Sequence, residues 1–242
     1  MNALASINTV FLDNGGVLSD HSLMGPQYRR LVGEFFAPRL GGTHEKWAEA
    51  NRVVFARLWA SGFDTIDYWK WWRGYQLSWL RGMAEHVGVT APESEQFCFD
   101  LAHEAALYIT ARVSAPIPGA AHAVTALHAT GLVLHTASSG NSFELQGCLA
   151  AMGVRQFLHT LYGSDLVSQF KNSPEYYRQI LAHSGADPSR SLVIDDSPAA
   201  LSWAKEAGAR TCLVTSRQNT ALTTMPDLVV PSLTTLADLL KA

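Results

Sequence analysis

Short apolar runs that end at a polar or glycine-containing loop recur along the chain. The first is Thr9–Leu12, which is followed by Asp13-Asn14-Gly15-Gly16, a pattern typical of a buried strand that enters a tight loop. Strand-like runs of the same kind occupy residues 132–136, 158–162, 191–194 and 211–214. Such runs, without regular polar alternation, predict strands of a sheet that is covered on both faces.

Segments with apolar residues at helical spacing alternate with these strands in the second half of the chain. They cover residues 120–129, 142–152, 174–183 and 199–207. Gly208 follows the last of them and suits a helix C-terminus, because glycine tolerates a left-handed backbone. The alternation predicts an α/β fold: a Rossmann-like parallel sheet with helices on both faces and ligands at the carboxyl ends of its strands.

A purely helical pattern interrupts this alternation between about residues 27 and 112. Segments 47–59 and 68–83 have helical apolar spacing, and no strand-like run separates them. Six of the seven tryptophans lie in this block. We therefore expect an α-helical cap subdomain at residues 20–112, inserted into a core domain made of residues 1–19 and 113–242.

Acidic residues follow two of the predicted strands. Asp13 ends the first strand and Asp195-Asp196 ends the fourth, so the topology brings them to one crevice. Adjacent acids repel unless a cation compensates, and Mg²⁺ prefers one or two carboxylates together with water and phosphate oxygens. An alternative is structural: Asp13 could only form a turn, and Asp196 or Ser197 could cap the helix that begins near Pro198.

Two further segments suit phosphate binding. Thr136 ends the second predicted strand and leads into Ala137-Ser138-Ser139-Gly140-Asn141, a small loop whose hydroxyls and amides can hold phosphate oxygens. Lys171 precedes a helix that starts near Pro174, where a cation can balance charge on a nucleophile and a phosphoryl group. A solvated surface lysine is the alternative for Lys171.

In this order and spacing, the four segments resemble the signatures of the haloacid dehalogenase (HAD) superfamily. The resemblance spans nearly the whole chain, including the helical insertion. It is carried by the sequences FLDNGGVL (11–18), KNSPEYY (171–177) and VIDDS (193–197), with Ala204 to Gly208 following.

The resemblance implies a role for each segment. Asp13 would be the nucleophile that is phosphorylated, and Thr136 and Lys171 would bind the transferring group. Mg²⁺ would be held by Asp13, Asp195, Asp196 and the backbone carbonyl of Gly15. Substrate contacts are expected from four residues of the two loops, namely Asn14, Gly15, Ala137 and Ser138.

At position 15 the sequence departs from the family's phosphatases. They usually carry a second Asp there, which protonates the leaving oxygen and activates water, whereas this chain has Gly15. Such acid-base help contributes about 10²–10⁴-fold. Asn14, Ser138 or a cap residue could position the water instead.

Three hypotheses follow from this departure. The first is a Mg²⁺-dependent phosphatase for a small phosphorylated metabolite. The second is a dehalogenase-like hydrolase, since the family's dehalogenases also lack the second Asp but need no magnesium. The third is a catalytically weak protein that binds a phosphorylated ligand or a protein partner through its Trp-rich cap.

Composition narrows the choice of partners. The net charge of −3 disfavours nucleic acid and anionic membrane surfaces. The three cysteines are far apart and lack metal-ligand spacing, which predicts reduced thiols in a cytoplasmic protein. No secretory signal or membrane-spanning run is predicted, so we expect a small-molecule substrate and no membrane or nucleic-acid partner.

Overall fold

A computed structural model of the chain describes residues 6–60, 67–215 and 225–241. Its centre is a parallel sheet of six strands. The strands are β1 (Thr9–Leu12), β2 (Val133–Ala137), β3 (Thr160–Tyr162), β4 (Ser191–Asp195), β5 (Arg210–Val214) and β6 (Leu228–Val230). They are arranged in the order β3-β2-β1-β4-β5-β6, so β1 lies inside the sheet between β2 and β4.

The register of the three central strands decides which residues meet at their carboxyl ends. Leu12 of β1 pairs with Thr136 of β2 on one side and with Ile194 of β4 on the other. The residues that follow Leu12, Thr136 and Ile194 are therefore level with one another. Asp13, Ala137 and Asp195 consequently reach the same edge of the sheet together.

Helices cover both faces of this sheet. They are α5 (Ala120–Ala129), α6 (Ser142–Ala151), α7 (Pro174–Ser184), α8 (Pro198–Glu206) and α9 (Leu233–Lys241). Val10 and Leu12 point into a core formed with α5, α6 and α9, whereas Phe11 points into a second core formed with α7 and α8. Because β1 is buried on both faces, its sequence is apolar throughout.

Residues 22–113 form a separate compact unit, the other unit being Met1–His21 with Ser114–Ala242. Its described helices are α1 (His21–Leu40, which begins one residue before this unit), α2 (His44–Ala60), α3 (Tyr68–Val87) and α4 (Glu95–Thr110). Trp47 and Trp79 are buried in its core, where their indole N–H groups donate to Gly41 O and Asn51 Oδ1, both at 2.8 Å. Trp59 and Trp69 are exposed.

The predicted α/β class with a parallel sheet is confirmed. The main differences lie at element ends and at the C-terminus. β2 runs one residue further than predicted, to Ala137, because Ala137 pairs with Tyr162 of β3. β6 and α9 were not predicted; the short sequence of β6 offers too few residues for a clear pattern.

The three cysteines are buried and form no disulfide with one another. Among the helices that the structure describes, none combines the length and the apolar character required to cross a bilayer.

Candidate active site

Asp13 stands at the end of β1 and is 8% exposed. Its backbone N–H donates to Ile194 O at 2.9 Å, which continues the pairing of β1 with β4 and fixes the carboxylate at the sheet edge. Burial raises the pKa of Asp13 to about 7, while the positive charge of Lys171 lowers it and the charge of Asp195 raises it. Asp13 thus needs cationic partners to stay ionised at neutral pH.

Lys171 supplies one such cation. Its Nζ donates to Asp13 Oδ1 at 2.8 Å and to Ala137 O at 2.7 Å, and it lies 2.7 Å from Asp195 Oδ2. Burial alone lowers the pKa of Lys171, but the negative charge of Asp13 above all holds it well above its ordinary value. The lysine is therefore a buried cation that ties the ends of β1, β2 and β4 together, and the interpretation of a solvated lysine is wrong.

Asp195 and Asp196 have different surroundings. Asp195 is buried and its Oδ1 accepts the N–H of Ser197 at 2.8 Å. Its Oδ2 is close to Lys171, yet no donor is aligned with this oxygen as a hydrogen bond among the described residues. Asp196 is exposed, and the helix cap is Ser197, whose hydroxyl accepts from Ala200 N. Asp196 is not used as the cap of α8.

Three carboxylates at this edge can share one cation. Asp13, Asp195 and Asp196 each offer an oxygen, and these oxygens lie within 4.8 Å of one another. Partial desolvation of its carboxylate, followed by the charge of Asp195, raises the pKa of Asp196, as expected for acids that repel without a cation. Hard carboxylate oxygens and the unaligned, buried Asp195 Oδ2 fit Mg²⁺.

The loop after β1 is held tightly by its own backbone. Asn14 O accepts from Leu18 N and Ser19 N, and Asn14 Oδ1 accepts from the Ser19 hydroxyl at 2.9 Å. Gly16 has φ +76°, and a Cβ at this position would overlap the carboxylate of Asp196. Asn14 is thus part of the loop's internal bonding, and Gly16 permits the loop to approach Asp196.

Thr136 lies inside β2, whereas Ala137 is the last residue of this strand and Ser138 follows it. Thr136 is completely buried and its hydroxyl donates to Tyr162 O at 3.2 Å, across to β3. Ala137 O is the acceptor for Lys171, and Ser138 follows directly after the strand. Because β2 ends at Ala137, it is Ser138 rather than Thr136 that begins the loop at the sheet edge.

Sequence reasoning did not single out two residues near this edge. Asp165 accepts the N–H and the hydroxyl of Ser142, at 2.7 and 2.6 Å, and so secures the start of α6. His21, the first residue of α1, is exposed and lies against Gly15: a Cβ on Gly15 would overlap Cε1 and Nε2 of its ring. Closeness along the chain is the only sequence signal for the second contact.

The carboxyl ends of this parallel sheet bring together one aspartate, a buried lysine and one pair of adjacent acids. The family of the chain follows from the sequence. A model of the haloacid dehalogenase-like hydrolase family matches residues 7–208, and the chain belongs to this family of hydrolases.

The chain is similar to a phosphatase in sequence and to several HAD-fold hydrolases in structure. Validoxylamine A 7'-phosphate phosphatase of Streptomyces hygroscopicus subsp. limoneus is 29% identical over 154 residues, which are 63% of this chain and 71% of that protein. Among solved structures, the 2-haloacid dehalogenase of Pseudomonas syringae pv. tomato DC3000 has a TM-score of 0.69 at 18% identity and covers 97% of this chain and 98% of its own. Magnesium-bound YfnB of Bacillus subtilis has a TM-score of 0.68 at 18% identity, with coverages of 98% and 99%. At such identity the two structures show the fold alone.

Proposed function

We propose that this hydrolase is a Mg²⁺-dependent phosphatase for a small phosphorylated substrate and that Asp13 is its nucleophile. The observation that carries the proposal is the buried Lys171, which contacts Asp13 and Asp195 at once. A lysine in this position keeps Asp13 ionised and leaves one carboxylate oxygen of Asp13 for attack. The neighbouring Asp196 supplies negative charge beyond what one lysine compensates, which favours a divalent cation.

Mg²⁺ would be held by Asp13, Asp195, Asp196 and the backbone carbonyl of Gly15. When bound, it would neutralise charge on the phosphate oxygens and so let an anionic nucleophile approach. The magnesium of YfnB supports this assignment by analogy within the same fold. Dehalogenation requires no such cation, so an acidic pair retained beside Asp13 favours the phosphatase reaction.

The chain's own groups account for the reaction in two displacements. One oxygen of Asp13 bonds to phosphorus while the ester P–O bond breaks, and the ester oxygen leaves with the electron pair. The ester oxygen takes a proton from a water molecule, the hydroxide so formed attacks phosphorus, and the bond between phosphorus and Asp13 breaks to restore the carboxylate and release inorganic phosphate. Lys171 holds Asp13 in place throughout, since its Nζ is also anchored to Ala137 O.

Ser138, the residue that follows β2, is the one that we assign to the transferring phosphoryl group instead of Thr136. The Thr136 hydroxyl is occupied by the Tyr162 carbonyl inside the sheet. Ser138 follows Ala137, the residue that Lys171 contacts, and therefore begins its loop beside the nucleophile. Backbone amides and hydroxyls of such loops are suited to phosphate oxygens.

A dehalogenase-like reaction is the second candidate, and Gly15 favours it because that chemistry needs no second Asp. The assay that separates the two uses the purified chain with p-nitrophenyl phosphate and with 2-chloropropionate, each with magnesium or with EDTA. We expect magnesium-dependent release of phosphate that is lost in Asp13→Asn, and no chloride release. Chloride release that persists in EDTA would favour the dehalogenase. No turnover of either compound would favour a binding protein.

A matched control keeps the Asp13→Asn result interpretable. Asp165→Asn changes a carboxylate of the same sheet edge that bonds only to Ser142 in its described contacts. It is expected to retain phosphate release. Equal loss in both variants would indicate damage to the fold rather than removal of a nucleophile.

A further inference from the structure

The ring of His21 occupies the space that a side chain at position 15 would fill. A Cβ added to Gly15 would overlap Cε1 and Nε2 of His21, and Nδ1 would lie 3.5 Å from it. The ring thus presents its Cε1–Nε2 edge to a position two residues beyond Asp13. His21 is present where the loop itself offers no side chain.

Backbone hydrogen bonds fix this arrangement on both sides of His21. Gly16 N donates to Ser19 O at 2.8 Å, which folds the loop back on itself. Asp20 N donates to Ala115 O at 2.8 Å, which ties the residue before His21 to the returning chain. These two backbone hydrogen bonds therefore hold the chain segment that carries His21 close to Gly15.

His21 is also close to the carboxylate cluster. The Asp196 carboxylate lies against Gly16, the neighbour of Gly15, and His21 is close enough to oppose the rise of the Asp196 pKa that burial and Asp195 cause. Asp13 is buried, whereas His21 is exposed. In an in-line displacement the leaving oxygen lies on the side of phosphorus opposite the nucleophile.

We propose that His21 is a catalytic residue which donates a hydrogen bond from its ring N–H to the leaving ester oxygen. The inference rests on the phosphatase function proposed above. Asp13 bonds to phosphorus as the ester bond breaks, and the departing oxygen, stabilised by the His21 N–H, takes its proton from solvent water. In the second step the hydroxide so formed attacks phosphorus, and Asp13 leaves as its carboxylate.

The role requires only an N–H donor and no change of protonation of the ring. Gln can replace this donor, whereas Phe keeps the planar shape without it. Removing one donor to a developing oxyanion costs about 10²–10³ in kcat. The cost falls when the leaving group is already stable as an anion, so it depends on the substrate in a way that a packing defect does not.

The test compares His21→Phe and His21→Gln on phenyl phosphate and p-nitrophenyl phosphate, which share a ring but differ in leaving-group stability. For His21→Phe we expect kcat to fall about 100-fold on phenyl phosphate and less than about 10-fold on p-nitrophenyl phosphate. His21→Gln should stay within about 10-fold of the unchanged protein on both. His122→Phe, on the exposed side of α5, serves as the matched histidine control.

Each outcome decides the assignment. Equal losses on the two substrates, or no loss, in His21→Phe would overturn the role of His21 while leaving the phosphatase function intact. If the unchanged protein released no phosphate with magnesium, the phosphatase function and this inference would both fail. Should His21→Phe not fold, the ratio of the two substrates in His21→Ala replaces it, and an unchanged ratio there overturns the proposal.

Discussion

The Nζ of Lys171 lies 2.8 Å from Oδ1 of Asp13, and both side chains are almost withdrawn from solvent. The two residues are far apart in sequence. Asp13 follows β1, whereas Lys171 precedes α7 and its Nζ reaches the level ends of β1, β2 and β4. An ion pair without solvent gains little unless its geometry is good and further bonds satisfy the charges. Lys171 meets this condition by also contacting Ala137 O and Asp195.

Lys171→Met should therefore unfold more easily when magnesium is absent. The substitution leaves Asp13 and Asp195 without their shared cation, and breaking a buried pair in this way costs about 3–5 kcal/mol. Magnesium should restore part of the loss, because it supplies positive charge to the same carboxylates. Urea unfolding with magnesium and with EDTA measures both effects.

Lys205→Met is the control for that experiment. Lys205 pairs with Asp227 at 3.3 Å, but both side chains are partly exposed. Such pairs contribute about 0–1 kcal/mol, so a small change that is independent of magnesium is expected. If Lys171→Met behaved like Lys205→Met, the buried pair would have no structural role.

Gly16→Ala should weaken magnesium binding by at least about 10-fold, equivalent to about 1.4 kcal/mol. A Cβ at Gly16 would overlap the Asp196 carboxylate and push it from the cluster. Gly153→Ala is the matched control: its φ is +72° against +76° at Gly16, but nothing lies near its Cβ position. Both variants carry the strain of a left-handed alanine, about 1–3 kcal/mol. Titration calorimetry with Mg²⁺ compares them, and equal affinities would remove Asp196 from the metal site.

Strand periodicity predicted the sheet and placed Asp13 and Asp195 at strand ends, since each of those runs is apolar and followed by an acid. It placed the end of β2 one residue early, because the extension to Ala137 depends on pairing with Tyr162, which a single sequence does not reveal. The bond between Thr136 and Tyr162 O has the same origin. His21 was missed because its contact with Gly15 depends on the backbone bonds of the intervening loop.

Ser138→Ala should reduce kcat for phosphate release, whereas Thr136→Val should not. Ser138 follows Ala137, whose carbonyl Lys171 contacts, and is the residue that we propose for the phosphoryl group. Thr136 only donates to Tyr162 O, an acceptor that the Tyr176 hydroxyl and Ser138 N also use. Its removal should lower the free energy of unfolding by about 1 kcal/mol. Steady-state kinetics and urea unfolding of the two variants check these results; a large loss of kcat in Thr136→Val would return the phosphate-binding role to Thr136.

Stability should fall as the pH drops from about 6.5 toward about 4, in part through His135. Its ring is buried in the sheet, stacks on Phe11 with centroids 5.0 Å apart, and has no hydrogen bond at Nδ1 among the described residues. Burial, reinforced by His159, lowers the pKa of His135 to about 4. Between these pH values the unfolded chain binds a proton that the folded chain does not.

Because the unfolded chain binds more protons in this range, the free energy of unfolding decreases as the pH falls. The decrease is at most about 1.4 kcal/mol per pH unit for one group. His135→Phe keeps an aromatic ring against Phe11 but removes the titration, so it should flatten this part of the pH dependence. His122→Phe, at an exposed position, should leave it unchanged. Free energies of unfolding at pH 4.5, 5.5 and 6.5 compare the three proteins. Identical slopes for the unchanged protein and His135→Phe would mean that the pKa of His135 is the same in the folded and unfolded chain. The acid sensitivity would then come from the carboxylates alone.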